Sequence, residues 1–186
     1  MDRPSVLAHL DAYAPFDPNE AAMRDRMRSF VAENEACFDR NFEEGHITAS
    51  CWIVNTLPPG EHRRLQALLT WHKRLNRWLQ MGGHLEADDQ SLLDASLREA
   101  REESGLKNVK PLAAAIFDLD VHLIPERKSE PAHYHYDIRF LLEADSTEPL
   151  VVSSESRDVA WVALSGIAAL NADASIQRMI AKTRYF

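Results

Sequence analysis

Apolar positions in this chain follow a helical period near both ends and a two-residue period through much of the middle, which predicts helices packed around a sheet. Val6, Leu10 and Tyr13 outline a short first helix. A second starts at Asp17, which caps Pro18 at the first helical position with Glu20 three residues after the cap. Met23, Met27, Phe30 and Val31 then follow at helical spacing. Residues 47–57 are rich in Ile, Val, Thr and Trp and run into Pro58-Pro59-Gly60, the pattern of a strand that ends in a turn. Residues 64–71 read as its partner strand. Residues 112–123 and 134–143 alternate, and predict an antiparallel pair joined through the polar segment 124–131. A last strand at 158–164 has Val159 and Trp161 on one face, and closing helices follow at 165–170 and 175–182. Residues 1–44 form an N-terminal helical extension on this reading. Their apolar stripe covers the core, or serves a homodimer contact or a lid over substrate with the same side chains.

One more helix carries a different charge pattern. Ser91 with Asp94 three residues on is a capping box, Asp88 and Asp89 suit the positive helix end, and Gly105 before Leu106 supplies a left-handed stop. The helix so bounded has about four turns. Leu93, Leu97, Ala100 and Ser104 make its core stripe, while Glu99, Glu102 and Glu103 share another face bordered by Arg98. Carboxylates at such spacing repel by about 0.2 to 0.5 kcal/mol per pair unless a cation sits among them. A solvated face with Arg98 pairing Glu102 four residues on needs no ligand. A hard divalent ion would turn the repulsion into attraction, and oxygen donors of this kind suit Mg²⁺ or Mn²⁺ shared with substrate phosphates.

Composition narrows the field. With 186 residues, 45% of them hydrophobic, the chain can bury a proper core, and one domain is the default. Cys37 and Cys51 make neither a disulfide framework nor a metal-binding spacing, and Cys51, inside a predicted strand, is expected to be a buried inert thiol. No run approaches the roughly eighteen apolar residues of a membrane span, and the N-terminus lacks a signal peptide's basic start and apolar run, so a cytoplasmic location without a membrane partner is expected. The net charge of −8 argues against nucleic acid polymers, yet a local basic patch can still hold a small phosphate compound. The segment His72-Lys73-Arg74-Leu75-Asn76-Arg77-Trp78 is such a patch, just ahead of a glycine pair. Lys73, Arg74, Arg77, Gly82 and Gly83 are therefore the candidate substrate-binding residues, through phosphate contact with stacking on a tryptophan beside them. A solvated hairpin tip with its tryptophans turned inward is the plainer account. On the paired strands Asp118, Asp120 and His122 share one face, and His133, His135, Asp137 and Arg139 share another. Such a face can take a second metal or the far end of a substrate, but a wet outer face or a hydrogen-bonded polar layer explains it more simply.

The stretch from Gly83 to Leu106 resembles the signature of the Nudix hydrolases: Gly, five residues, Glu, seven residues, Arg-Glu, an aliphatic residue, any residue, Glu-Glu, any residue, Gly, aliphatic. Arg98-Glu99-Ala100-Arg101-Glu102-Glu103-Ser104-Gly105-Leu106 matches its second half, with Ala100 small for the aliphatic position. The first half departs from it: Asp89 stands where Glu is usual, and one extra residue separates it from Arg98. Trp78-Leu79-Gln80-Met81-Gly82-Gly83-His84 looks like the approach to the signature in one subgroup, with Met81 where proline is common. The resemblance implies an α/β/α sandwich with a mixed sheet, in which residues 45–186 are the Nudix hydrolase domain. It implies metal-dependent cleavage of a diphosphate linkage in a small nucleotide-type molecule, a nucleoside diphosphate linked to another group. Glu99, Glu102 and Glu103 would bind Mg²⁺ or Mn²⁺, and Arg98 would hold a carboxylate in position. The proton acceptor would be Glu102, Glu103 or Glu155, the last lying in a loop from which some family members take their base. Two other functions share the fold: a binding module that senses a nucleotide without cleaving it, and an isomerase of allylic diphosphates. The isomerase needs a cysteine placed for proton transfer, and Cys51 is weakly placed for that.

Overall fold

The computed structural model describes residues 1–55, 65–127, 131–170 and 173–185. Two helices lead the chain, α1 (Arg3–Ala12) and α2 (Pro18–Glu33). Their caps are local chemistry, with Asp2 accepting from the Ser5 N–H and Asp17 from the Glu20 N–H at 2.7 Å. Glu20 departs from a capping-box role. It is fully buried, and its carboxylate accepts from the Phe16 N–H at 2.6 Å, the Leu119 N–H and the Tyr13 hydroxyl while pairing with Lys182. Arg3 donates to the carbonyls of Val31 and Ala32, which ties the start of α1 to the end of α2.

The sheet contains β1 (Gly45–Asn55), β2 (Gln66–His72), β3 (Arg77–Leu79), β4 (Met81–His84), β5 (Lys110–Pro111), β6 (Asp118–Ile124), β7 (His133–Ala144) and β8 (Ser156–Ala163). Buried along its whole length, β1 is the central strand. It runs parallel to β7, with Gly45 opposite Tyr134 and Asn55 opposite Ala144, and antiparallel to β2 and β4. The strands β3 and β8 flank β2, while β5 and β6 flank β7. Between β4 and β5 lies α3 (Leu92–Ser104), and α4 (Leu164–Leu170) and α5 (Ala174–Thr183) close the chain. Ile47, Cys51 and Ile53 join a core shared with α1, α2 and α3, while Trp52 and Val54 join Ile176, Met179 and Ile180 on the other side. A mixed sheet between helical layers results, an α/β/α sandwich with the N-terminal helices packed on it. No helix among the described residues is long and apolar enough to cross a membrane.

Two expectations shift and one pair of alternatives is decided. The strand expected at 112–123 begins only at Asp118, because Ala113, Ala114 and Ala115 are exposed and have little side chain to bury. On α3 the fully buried stripe is Leu92, Ala95, Ser96, Ala100 and Ser104, while Leu93 and Leu97 are half-buried against the same core. Small side chains on that stripe suit the close approach of α3 to β1 and β4. Of the two plainer accounts, Asp118, Asp120, Asp137 and Arg139 follow the hydrogen-bonded polar layer and not the wet face. Arg139, 2% exposed, donates to Asp137 at 2.7 Å and Asp118 at 3.1 Å and lies 3.2 Å from Asp120, and Arg178 and Lys182 of α5 both bind Asp118 at 2.8 Å. Burial opposes ionising Asp118 and Asp120, but these cations and the His122 hydrogen bond to Asp120 outweigh it and hold both carboxyls low. The turn at Pro58-Pro59-Gly60 and Arg64 lie outside the described residues.

Candidate active site

Two glycines let the carboxylates of α3 lie against a strand. Gly82 has φ +153°, and a Cβ there would stand 2.1 Å from Ser50 Oγ on β1. Its N–H donates to Glu103 at 2.8 Å. A Cβ on Gly83 would stand 2.5 Å from Glu99 Oε1, so a side chain there would displace that carboxylate. The left-handed Gly105, φ +73°, ends α3 one turn beyond Arg101, with Ser91 capping its start. The helix is thus anchored at both ends with Glu99 and Glu103 turned toward β4.

The three glutamates are not equivalent. Glu103 is half-buried, and its loss of solvent, with Glu99, Glu155 and Glu102 near it, pushes its pKa up to about 7 against the pull of the Gly82 N–H. Burial also raises Glu99, opposed by Arg98. Glu102 keeps 58% of its side chain exposed and meets Arg98 at 3.3 Å. Arg98 is the hub of the loop that leads into the helix. It donates to both oxygens of Asp89 at 3.1 and 3.0 Å, to Glu99 at 2.9 Å and to the His84 carbonyl at 2.9 Å. Asp89 therefore serves Arg98 and the Glu86 N–H rather than the helix end, and the extra residue before Arg98 is absorbed in the loop. Burial works against ionising Asp89, yet those hydrogen bonds hold its carboxyl below the usual range.

Gly82 and Gly83, which Glu103 and Glu99 meet, line a cleft of about 250 Å³, while the three glutamates of α3 and Arg98 are not in its lining. Of the residues singled out for substrate binding, Gly82, Gly83 and Arg74 line it, and Glu155 lines it too. Lys73 and Arg77 point elsewhere: Lys73 donates to the Ser154 carbonyl at 2.7 Å and Arg77 pairs with Asp173 at 3.5 Å. Trp71 and Trp78 meet edge to face at 5.5 Å. Arg40 and Arg127 also line the cleft. Sequence reasoning missed both, since one precedes β1, the other follows β6, and neither sits in a local pattern. His46, His84 and His135 gather in the same region, where burial and the neighbouring imidazoles depress His46 to about 4 and His135 to about 2. Cys51 is closed off in the core, its Sγ 3.6 Å from the Met81 carbonyl and its pKa raised far above the ordinary thiol range by burial, which removes it as a proton donor to a substrate. A larger apolar hollow of about 550 Å³ lies by Tyr13, Phe16 and Phe117, but its lining has no carboxylate.

A fold with α3 laid against β1 and β4, and glutamates meeting a glycine pair, defines the class. The NUDIX domain family model matches residues 46–183, so the chain belongs to the Nudix family and is a hydrolase of that family. Its fold is similar to that of a C. elegans Ap4A hydrolase in a binary complex, with TM-score 0.58 and 16% identity over 75% of this chain and 96% of that one. The NUDIX domain of Shewanella oneidensis NrtR complexed with ADP ribose gives 0.56 at 14% identity, over 84% and 96% of the two chains. RenU, a Nudix hydrolase from M. smegmatis, gives 0.55 at 16% identity, over 76% and 85%. At these identities the likeness establishes the fold. No curated protein sequence matches the chain.

Proposed function

We propose that this protein uses Mg²⁺ or Mn²⁺ to hydrolyse a diphosphate linkage in a small nucleotide-type molecule, a nucleoside diphosphate joined to another group. The observation that carries this reading is Glu103: a largely desolvated carboxylate against Gly82 of the cleft wall, held by one backbone N–H and paired with no cation among the described residues. A buried charge without a partner is costly. A hard divalent ion with oxygen donors removes that cost, so the donor set of Glu99, Glu102 and Glu103 fits the ion the family implies. Bound there, the ion would supply charge neutralisation at the phosphates and acidify a water.

The chain's own groups then have separate tasks. Arg98 keeps Glu99 oriented through their 2.9 Å hydrogen bond, and is itself held by Asp89. Arg74, Arg40 and Arg127 take phosphate oxygens through charge-assisted hydrogen bonds. Glu155 accepts the proton of the attacking water. Its carboxylate has no hydrogen-bond partner among the described residues, and it is near enough to Glu99 and Glu103 to raise both. We place the enzyme in the cytoplasm on its two free thiols, Cys37 and Cys51.

A substrate panel including ADP-ribose and dinucleoside polyphosphates tests this reading. A nucleoside monophosphate or similar fragment is expected with Mg²⁺ or Mn²⁺ and none with chelator, and in ¹⁸O-labelled water the label should enter a phosphate fragment. Cleavage that persists in chelator removes the metal role. Metal-dependent thermal shifts with no cleavage across the panel would favour a nucleotide-sensing module instead.

A further inference from the structure

The geometry points to a second metal site in the cleft, in which His46, His84 and His135 bind one zinc-class transition ion apart from the carboxylates of α3. Strand register builds it. His46 on β1 stands opposite His135 on β7, and two residues further along β1 Thr48 stands opposite His84 on β4. Residues two apart on a strand share a face, so three adjacent strands aim an imidazole at the same side of the sheet. Ring centroids are 4.8 Å apart for His46 and His135, 5.0 Å for His46 and His84, and 5.4 Å for His84 and His135. One nitrogen from each ring lies within 4.8 Å of the other two. A tetrahedral Zn²⁺ with bonds of about 2.0–2.1 Å sets its ligand nitrogens about 3.3 Å apart, a distance that modest side-chain rotations reach from here.

His46 supplies the second observation. It is 1% exposed, and neither of its ring nitrogens has a hydrogen-bond partner among the described residues. Buried polar atoms are ordinarily satisfied, and an unpartnered imidazole between two others is satisfied by an ion they share. Nitrogen donors select Zn²⁺ and its neighbours, whereas Mg²⁺ takes oxygen, so the two sites sort ions by their chemistry. Asp137 does not join the set, being held by Thr48, Ser50 and Arg139. His122, opposite His135 on β6, is bound to Asp120 at 2.9 Å and stands beside the set with its ring 5.6 Å from that of His135. Because His84 and His135 line the cleft, the ion presents an open position to it, suited to an oxygen of a bound anion. The strand β4 joins the two centres, with Gly82 on Glu103, Gly83 beneath Glu99, and His84 giving its carbonyl to Arg98 and its ring to the cluster. This site goes beyond the hydrolytic reading and does not depend on it.

The test uses the untagged full-length protein, stripped with chelator, loaded with Zn²⁺ in excess Mg²⁺ and desalted. One zinc per chain is expected by elemental analysis, and Co²⁺ in its place should show the visible bands of a nitrogen-ligated ion. Loss of even a ligand's hydrogen-bond partner costs about 10- to 100-fold in metal affinity, so His84→Gln and His135→Gln should each cost at least that. Glu103→Gln should keep its zinc. The site is overturned by a wild type that retains no zinc, by zinc lost equally in Glu103→Gln, or by unchanged affinity in both histidine variants. Circular dichroism checks folding, and if one histidine variant does not fold, the other and the wild-type stoichiometry decide.

Discussion

Replacing Glu103 by Gln isolates the consequence of desolvating a carboxylate beside the cleft. In metal-free protein its pKa is pushed up to about 7 from an ordinary 4.5, chiefly by burial. Between those values the native state keeps a proton that the unfolded chain has released, and stability falls with rising pH wherever the native state binds more protons. The loss runs from about pH 4.5 to 7 and is constant above that. The gap of 7 − 4.5 = 2.5, at about 1.4 kcal/mol per pH unit, amounts to roughly 3 kcal/mol. His46 and His135 act with the opposite sign: depressed to about 4 and about 2 from 6.5, they make stability rise with pH up to about 6.5. The wild-type slope alone is therefore not diagnostic, and the difference between wild type and variant is. Gln keeps the shape of the side chain and an oxygen to accept from the Gly82 N–H. Urea denaturation in chelator from pH 4.5 to 8 should show Glu103→Gln gaining on wild type as pH rises, by roughly 3 kcal/mol at the upper end. Adding Mg²⁺ should then favour wild type. A pH-independent difference between the two proteins refutes the reasoning.

Asp89→Asn weakens the grip on Arg98 and should cost about 1.5 to 3 kcal/mol in thermal or urea unfolding, together with turnover lost as Glu99 is released; unchanged values in both assays would return Asp89 to a helix-end role. Gly83→Ala puts a methyl 2.5 Å from Glu99 Oε1, and misplacing that carboxylate should lower turnover on the order of 10²-fold with the circular dichroism spectrum retained. Full turnover in that variant would show that Glu99 need not lie against β4. Arg139→Met leaves Asp118, Asp120 and Asp137 short of a buried cation and should destabilise by about 3 to 5 kcal/mol in urea, while a loss below 1 kcal/mol would mean that Arg178 and Lys182 suffice.

What was legible in the sequence was whatever is decided within a few residues. Asp17-Pro18, Ser91 and Gly105 mark helix ends because a cap bonds to a backbone group two to four positions away. Alternation placed β7 and most of β6, and the spacing of Glu99, Glu102 and Glu103 placed their carboxylates near one another on α3 and carried the family resemblance. The tertiary structure decided how those local pieces meet. Glu20 reads as a helix cap until Lys182, far along the chain, takes its carboxylate. Spacing on α3 does not reveal that Glu99 and Glu103 are half-buried while Glu102 stands in solvent, because that depends on where β4 lies across the helix. Arg74 reaches the cleft while Lys73 and Arg77, in the same basic run, are drawn to Ser154 and Asp173 by the partners that β8 and the start of α5 bring alongside. His46, His84 and His135 look unrelated along the chain, and only the register of β1 with β7 and β4 brings their rings together. Spacing sets the direction of a side chain within its own element, but register is set by burial summed over the whole sheet, where a slip of one residue turns every side chain of a strand to the opposite face.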